Sequence, residues 1–372
     1  MVTSRREADP RELRLLAAAR AGDGDAFGLL VEPHRRELHA HCYRMLASLH
    51  DADDALQDTL LRAWRGLARF EGRSSLRTWL YAIATNACLR TAERRSSRVL
   101  PLDLSAPATV GEIPGRPLAE SVWIEPYPDD RLGPDAEYEE REAVELAFVA
   151  ALHHLPPLQR AVLLLRQVLG FSARETATAL QTSVAGVNSA LQRARKVVDE
   201  RLPAQSQQAT LRTLGDETVR DLVRRYAQAM ANGDVDSVVA LLVEDATWSM
   251  PPLATWYRGL RAIRVFLEEH PLRQPWRHIP TSANGQPALL CYMWNEEARV
   301  FRAEALDVLT FDGPRIAAID AFRDPAVHAA FGQPLELGPS EGSRRLERDA
   351  EQLGLALADP FGGFDVASTD TA

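Results

Sequence analysis

The chain of 372 residues contains little lysine, little cysteine and no long apolar run. Lys196 is the single lysine, so arginine supplies nearly all the basic charge, which we interpret as the composition bias of a GC-rich genome. Cys42, Cys88 and Cys291 are odd in number and far apart, which predicts a reduced, cytoplasmic protein without a disulfide framework. No run of about 18 apolar residues offers a membrane span, and the charged N-terminus predicts no secretion signal.

Acidic charge dominates, with a net charge of −9. The excess is uneven, because residues 1–100 carry 17 basic and 13 acidic side chains, whereas residues 101–138 carry 2 and 8. The acidic total argues against a general nucleic-acid coating protein. It does not exclude specific nucleic-acid binding by the mildly basic segments.

The length predicts two or three domains. Three patterns predict the domain boundaries. Two separate stretches show helical periodicity, an acidic stretch rich in proline and glycine lies between them, and strand-like runs follow near the C-terminus. We expect a multidomain protein with two all-α modules and a C-terminal α+β domain. The predicted segments are a helical module at 12–98, a flexible linker at 99–138, a second helical module at 139–202, a hinge at 203–211, the α+β domain at 212–332 and a partly disordered extension at 333–372.

The block DADDALQDTLLRAWRGLARF follows a predicted helix over about 26–48. Asp51 is a plausible N-cap for the next helix, which should end near Phe70. Leu56, Leu60, Ala63 and Leu67 recur at helical spacing and predict its buried face. A second face carries acidic, amide and basic groups around an apolar residue, Leu61. The acidic groups alone suit a solvated first turn, but the leucine among charges favours a docking face for a partner helix.

The block SSLRTWLYAIATNACLR predicts a helix from Leu76 to about Arg95, with a core stripe at Leu76, Leu80, Ile83 and Ala87. Beside that stripe lie Trp79, Asn86 and Arg90, with Tyr81 nearby. Aromatic faces stack on unpaired bases, amides read base edges and arginines hold phosphates. The alternative is that the two aromatic residues only complete the edge of the core.

The segment 155–199 predicts a helix-turn-helix. Ser172 and Glu175 form a capping box for a short helix that ends near Leu180. The residues QTS make a tight turn, and Thr182 or Ser183 caps a longer basic helix from Val184 to about Val198. The alternative is an ordinary helical hairpin.

These blocks carry a family resemblance. YRMLASLHDADDALQDTLLRAWRGLARFEGRSSLRTWLYAIATNACLR resembles region 2 of the sigma-70 superfamily, and LPPLQRAVLLLRQVLGFSARETATALQTSVAGVNSALQRARK resembles region 4. Two such regions in this order, without others, are typical of the extracytoplasmic-function (ECF) group of bacterial sigma factors. The resemblance implies a transcription initiation factor that binds the RNA polymerase core through its beta-prime and beta subunits and directs it to promoter DNA.

The resemblance also assigns residues to roles. On the first block, the positions implied for docking on the polymerase clamp helices are Asp54, Gln57, Asp58, Leu61 and Arg65. The positions implied for melting the minus-10 element and capturing a flipped base are Phe70, Arg73, Ser74, Arg77, Trp79, Asn86 and Arg90. The acidic linker would follow the RNA channel of the polymerase, where negative charge imitates a nucleic acid.

The second helix of the helix-turn-helix would enter the major groove at the minus-35 element. The positions implied for base and phosphate contacts are Ser183, Ala185, Asn188, Ser189, Gln192, Arg193, Arg195 and Lys196. Asn188 and Ala190 stand where family members often carry basic residues, which leaves the preferred minus-35 sequence open.

Residues 212–331 resemble the SnoaL-like group of the nuclear-transport-factor-2-like superfamily, which implies a cone built from a curved antiparallel sheet and helices. An apolar pocket could be lined by aromatic residues and one methionine: Tyr226, Trp248, Met250, Trp256, Tyr257, Phe266, Tyr292 and Trp294. Asp307 and Asp320 could act as a general base if buried. The alternative is that they are solvated carboxylates beside an aromatic core. No histidine lies at a sequence spacing that would predict a catalytic pair with either aspartate.

We therefore expect the cone to regulate the sigma regions through intramolecular contact rather than to catalyse a reaction. No Walker motif or dinucleotide fingerprint occurs. His39, His41 and Cys42 cannot share a metal, because residues two apart on a helix point to different sides. We expect no cofactor, metal or catalytic residue. Two other functions stay open: a ligand-sensing helix-turn-helix repressor, and an enzyme that uses the cone.

Overall fold

The computed structural model describes residues 10–72, 74–95, 97–119, 122–133 and 141–339. Within it the chain divides into two compact units. Unit 1 comprises residues 1–104, 118–209 and 283–285, and unit 2 comprises residues 105–117, 210–282 and 286–372. The division does not follow chain order, because a piece of the linker groups with the C-terminal domain and a three-residue turn of that domain groups with the helices.

In the described part of unit 1, five helices come first. They are α1 (Pro10–Arg20), α2 (Gly24–Val31), α3 (Arg35–Leu46), α4 (Leu49–Gly66) and α5 (Leu76–Ala92). Polar side chains cap the N-termini of α2 and α5: Asp23 accepts hydrogen bonds from the backbone at the start of α2, and Ser75 accepts from the Thr78 amide of α5. Leu38, Met45, Leu80 and Tyr81 are buried between α3 and α5.

Two local predictions for this bundle are wrong, and a third is wrong in part. The single helix predicted over 26–48 is two, because Pro33 lies in a 3₁₀ turn (Glu32–His34) between α2 and α3. The N-cap of α4 is Ser48, which accepts from the Asp51 amide, and Asp51 is inside the helix. Of the predicted stripe of α4, Ala63 and Leu67 are buried, but Leu56 and Leu60 are only half-buried. The small residues Ala52, Ala55 and Thr59 are buried in their place.

Asp51 is a structural residue rather than a cap. It is 3% exposed and its carboxylate receives Arg95 Nη1 at 2.6 Å and Arg98 Nη2 at 3.1 Å. Arg98, also buried, donates to Glu125 Oε1 at 3.0 Å and to the Trp123 carbonyl at 2.8 Å. A buried carboxylate needs such partners to offset its loss of hydration. The network ties α4 to the later part of the linker.

The second helical group of unit 1 comprises α6 (Leu146–His153), α7 (Pro157–Leu163), α8 (Ala173–Ala179) and α9 (Val184–Asp199). The capping box of Ser172 and Glu175 is present as predicted. Gln181 adopts a positive φ of 52° in the turn, and Ser183 caps α9 by accepting from the Gly186 amide. The helix-turn-helix prediction is confirmed in its elements, turn and caps.

The two helical groups pack together within unit 1. The buried guanidinium of Arg160 on α7 donates to the Leu152 and Leu155 carbonyls of its own group and to the Met45 carbonyl of α3. The rings of Tyr81 on α5 and Phe171 before α8 meet edge to face at 5.8 Å. The free chain therefore holds the two groups in contact.

Unit 2 combines helices with an open seven-stranded sheet. After α10 (Gln207–Leu214), its helices are α11 (Asp216–Ala231), α12 (Val235–Ala240), α13 (Leu260–Glu269) and α14 (Ala326–Ala330). Its strands are β1 (Leu242–Ser249), β2 (Trp256–Arg258), β3 (Trp276–Ala283), β4 (Gln286–Asn295), β5 (Val300–Asp312), β6 (Arg315–Phe322) and β7 (Glu336–Leu337). The α+β prediction is confirmed.

The strand order is β2-β1-β6-β5-β4-β3, with β7 on β5. The sheet is mixed rather than wholly antiparallel, because β1 runs parallel to β6. Register shifts at Cys291/Tyr292 and Thr310/Phe311 mark irregularities that bend a sheet. The helices cover one face, where Tyr226, Trp248, Ile263 and Leu309 are buried in a common core.

Candidate functional site

The predicted docking face of α4 is solvent-accessible. Asp54, Gln57, Leu61 and Arg65 are exposed, and Asp58 is half-buried. Leu61 leaves half of its surface (50%) in water between charged neighbours. An exposed leucine alone is ordinary, but this one lies on the same helical face as the charged positions named from the sequence. The face combines an apolar centre with a polar surround, as protein interfaces do.

Asp58 already has partners on its own surface. Arg62 Nε lies 2.8 and 2.7 Å from its two carboxylate oxygens, and Arg90 Nη2 lies 3.4 Å from Oδ2. Exposed pairs of this kind contribute only about 0–1 kcal/mol. A partner with its own arginine or lysine can therefore exchange with them at small cost.

The predicted minus-10 residues fall into two groups. Phe70, Ser74, Arg77 and Trp79 gather at the start of α5, while Arg73 lies outside the described residues. The Phe70 and Trp79 rings pack at 4.9 Å, with Phe70 buried and Trp79 half-buried. Arg77 donates to Glu37 Oε2 at 2.9 Å and covers the Tyr81 ring at 4.9 Å. This end of α5 presents a supported aromatic surface beside a guanidinium.

Asn86 and Arg90 lie further along α5. The amide nitrogen of Asn86 donates to the Ala82 carbonyl at 2.7 Å and to the Ala179 carbonyl of α8 at 3.0 Å. In the free chain this amide therefore binds the second helical group. Arg90 is 41% exposed and pairs with Asp58. No pattern in the sequence indicates the contact between α5 and α8.

The predicted minus-35 residues share one face of α9. All eight are exposed: Ser183, Ala185, Asn188, Ser189, Gln192, Arg193, Arg195 and Lys196. Val187, Ala190, Leu191, Ala194 and Val198 occupy the opposite face and are buried. Ala190 is thus a core residue, so its lack of charge does not weaken the exposed face. Basic side chains follow the polar ones toward the C-terminal end of the helix.

Unit 2 contains a cavity of about 360 Å³. Three of the residues predicted to line it do so, namely Trp248, Met250 and Phe266. The others, Tyr226, Trp256, Tyr257, Tyr292 and Trp294, do not line it. Tyr226, Trp256, Tyr257 and Tyr292 are buried around the sheet instead. Apolar periodicity identified core positions but could not tell which of them face an empty space.

The two aspartates of the cone are buried rather than solvated. Asp307 lines the cavity and accepts a hydrogen bond from the Tyr226 hydroxyl at 2.8 Å. Asp320 does not line it and accepts from Ser249 Oγ at 2.6 Å. Burial raises the pKa of each carboxyl to about 6, against the lowering effect of its hydroxyl partner. Of the two carboxyls, only that of Asp307 lies where it can contact a molecule in the cavity.

Sequence reasoning missed two features of this cavity. His278, 29 residues before Asp307 in the chain, lies in its wall, and burial lowers the pKa of that imidazole to about 3. Pro114 of the linker lies there too. Two hydrogen bonds hold the linker segment that contains Pro114. Ala108 N donates to the Trp256 carbonyl at 2.8 Å, and Tyr257 Oη donates to the Glu112 carbonyl at 2.7 Å. Residues 105–117 of the linker therefore lie along β2.

Among the described residues, no helix is both long enough and apolar enough to cross a membrane. Family models match three parts of the chain. Sigma-70 region 2 matches residues 30–98, Sigma-70, region 4 matches residues 145–198, and a SnoaL-like domain matches residues 223–319. The order of the matches is the order of the three folded segments predicted from the sequence.

Curated relatives extend the likeness over most of the chain. The ECF RNA polymerase sigma factor SigG of Mycobacterium tuberculosis (strain H37Rv) is 44% identical over 326 residues, 86% of each chain. SigM of the same organism is 33% identical over 50% of this chain and 81% of its own. The crystal structure of M. tuberculosis SigJ has a similar fold, with a TM-score of 0.53, 22% identity, and coverage of 81% of this chain and 97% of that one. The chain belongs to the ECF sigma factors of RNA polymerase, in a form that carries a C-terminal SnoaL-like domain.

Proposed function

We propose that this sigma factor docks on the beta-prime subunit through the exposed face of α4, with further contacts to the beta subunit. The observation that carries the proposal is Leu61, half exposed among Asp54, Asp58 and Arg65 on a helix whose opposite face is buried. Loss of water from one leucine side chain contributes about 1.5–3 kcal/mol. The charges around it orient the polymerase on this face and raise the rate at which the two proteins meet. We place the protein in the cytoplasm, where the polymerase acts, and assign it no catalytic activity.

The start of α5 is proposed to open the minus-10 element. Trp79, backed by Phe70, offers a face on which an unpaired base can stack, and Arg77 supplies a phosphate contact. Stacking of one base on an aromatic side chain contributes about 1–3 kcal/mol. That gain is comparable with the few kcal/mol needed to flip a base. Run-off transcription by the chain with core polymerase, on linear and on pre-melted promoter DNA, tests this role.

The exposed face of α9 is proposed to read the minus-35 element. Near its N-terminus, Ala185, Asn188, Ser189 and Gln192 have the size and polarity for base edges. Arg193, Arg195 and Lys196 follow, and their charge suits phosphates. The burial pattern supports the choice of this face, because its residues are exposed whereas those of the opposite face are buried.

Two neighbouring substitutions on α9 are expected to give different binding defects. Gln192→Ala should relax sequence preference at one base pair, with a loss of about 1–3 kcal/mol on the preferred promoter only. Arg193→Ala should weaken all sequences alike and lower the salt slope of binding by about 1. Filter binding of holoenzyme to promoter variants at several salt concentrations measures both. Equal defects in the two variants would contradict the assignment of base and phosphate contacts.

We further propose that the SnoaL-like domain regulates the sigma regions through intramolecular contact. The support comes from Asn284, in the Asn-Gly turn between β3 and β4, which groups with unit 1. Its amide nitrogen lies 2.9 Å from Tyr43 Oη and 2.7 Å from the Val144 carbonyl, and its Oδ1 accepts from the Tyr127 amide at 2.8 Å. Asn284 is fully buried. A buried amide with three partners is costly to remove.

Asn284→Ala is expected to change promoter-directed transcription several-fold while the cone stays folded. The substitution leaves the Tyr127 amide and the Val144 carbonyl without a partner, at a cost of about 1–3 kcal/mol each. Multiple-round transcription with saturating core polymerase measures the effect. Asn295→Ala is the matched control, because Asn295 also lies at a turn of the cone and, within the described residues, its side chain bonds to the Ala298 amide alone. Identical transcription by wild type and both variants would refute a regulatory contact at this turn.

A further inference from the structure

Three buried side chains of unit 2 come together at the wall of the cavity. His278 on β3, Cys291 on β4 and Asp307 on β5 belong to neighbouring strands. Asp307 pairs with Leu289, so Cys291 is its diagonal neighbour on the same face of the sheet. One nitrogen, the sulfur and one carboxylate oxygen lie within 4.8 Å of one another. The pleat of the sheet, rather than sequence proximity, brings these groups together.

The His278 imidazole requires an explanation. It is 4% exposed, and within the described residues neither of its ring nitrogens has a hydrogen-bond partner. Buried polar groups are normally satisfied, because an unpaired group costs about 1–3 kcal/mol. His278 faces the cavity together with Cys291 and Asp307. The unsatisfied nitrogen therefore points to a ligand that accepts its lone pair or shares its proton.

We propose that His278, Cys291 and Asp307 bind a zinc ion, with its fourth coordination position open to the cavity. Imidazole nitrogen, thiolate sulfur and carboxylate oxygen are the donors that zinc takes in proteins. At zinc–ligand distances of about 2.0–2.3 Å, tetrahedral geometry sets the ligand atoms roughly 3.4 Å apart. Side-chain rotations that move the ligand atoms by about 1 Å bring the present cluster to that size.

Charge and support favour zinc in this place. Thiolate and carboxylate together neutralise a divalent ion, so the occupied site has no net charge to bury. On binding, the thiol proton leaves to solvent and the sulfur forms the metal bond. The Tyr226 hydroxyl, 2.8 Å from Asp307 Oδ2, holds the carboxylate in place. The rest of the wall is apolar at Trp248, Met250 and Phe266 and also carries polar side chains, Glu269, His270, Gln274 and Glu304 among them.

Three protein ligands and one open position are typical of zinc sites that take up an exogenous molecule. The class of molecule follows from the cavity: small, largely apolar, with one oxygen or sulfur donor directed at the metal. This site is independent of the regulatory contact proposed at Asn284. It departs from the expectation that the chain holds no metal, which rested on helical His and Cys residues and not on these strands.

The test uses the full chain, produced with a cleavable tag that contains no histidine and stripped of metal with a chelator. Titration with Co²⁺ should give one ion per chain, a thiolate-to-cobalt band in the near ultraviolet and strong visible bands of tetrahedral cobalt. Zinc should displace the cobalt. Cys291→Ser should lose the near-ultraviolet band, and His278→Ala and Asp307→Asn should weaken cobalt binding about 10-fold or more.

Cys88→Ser is the control, because Cys88 is a buried cysteine of unit 1. A band that survives Cys291→Ser but disappears in Cys88→Ser would overturn the proposal, as would absence of any band at millimolar cobalt. Circular dichroism of the metal-free variants checks folding. Asp307→Asn keeps the size of the side chain, so unaltered cobalt affinity in that variant also counts against the site.

Discussion

Leu61→Asp is expected to lower the affinity of the chain for core RNA polymerase by roughly 30-fold or more, and transcription in proportion. Burial of an interface leucine contributes about 2 kcal/mol, and a carboxylate in its place adds an unpaired charge at the same point. The change costs the free protein little, since Leu61 is half exposed. Fluorescence anisotropy of labelled chain titrated with core polymerase measures the affinity directly.

Leu29→Asp is the matched control for this experiment. Leu29 on α2 is also a leucine of unit 1 with about half of its surface exposed (56%), but it lies outside the predicted docking face. Its substitution should leave core binding within about twofold of wild type. If Leu61→Asp binds core polymerase as well as Leu29→Asp does, α4 is not the docking surface, whatever its charge pattern.

Cross-linking α5 to α8 is expected to abolish promoter-specific transcription. The Ala82 and Ala179 carbonyls bind the same Asn86 nitrogen, at 2.7 and 3.0 Å, so cysteines at these two alanines are within reach of a short bismaleimide. Elements centred about 25 base pairs apart are separated by roughly 80 Å of B-form DNA. Region 2 and region 4 must part to occupy both.

The design separates the cross-link from the substitutions. Ala82→Cys/Ala179→Cys treated with a monofunctional maleimide gives the reference activity. The native cysteines are at most 2% exposed and react more slowly than cysteines at half-buried Ala82 and at Ala179, which is 8% exposed. The bismaleimide product should retain less than about one tenth of that activity on a promoter with both elements. A tenfold loss corresponds to about 1.4 kcal/mol of lost promoter binding. Full activity of the cross-linked chain would mean that region 4 reads its element without leaving region 2.

The sequence was most informative where function needs an exposed and regular surface. On α9, the eight positions named for DNA contacts are all exposed, and they share one face because a helix repeats its faces every 3.6 residues. The capping signals at Ser172 and Ser183 fixed the helix starts. Local rules of this kind depend only on residues close together in the chain.

The same rules failed where contacts come from far along the chain. Leu56 and Leu60 were predicted to be buried on α4, but Ala52 and Ala55 are buried instead, because small side chains allow close helix packing. The trio of His278, Cys291 and Asp307 spans three strands, so no spacing could reveal it. Nor does periodicity report that Asn86 faces the Ala179 carbonyl or that Asn284 is fully buried.

The seating of the linker along β2 has a consequence for synthesis on the ribosome. Gly115 N donates to Thr255 Oγ1, a partner 140 residues further along the chain. At about 5–20 residues per second, that partner is made roughly 7–28 seconds after the glycine. Both promoter-reading modules have been translated by then, while the segment between them still lacks the strand on which it rests. A nascent or truncated factor is thus distinguishable from a finished one, since the segment 105–117 gains its protection from proteases only when translation has passed Arg258.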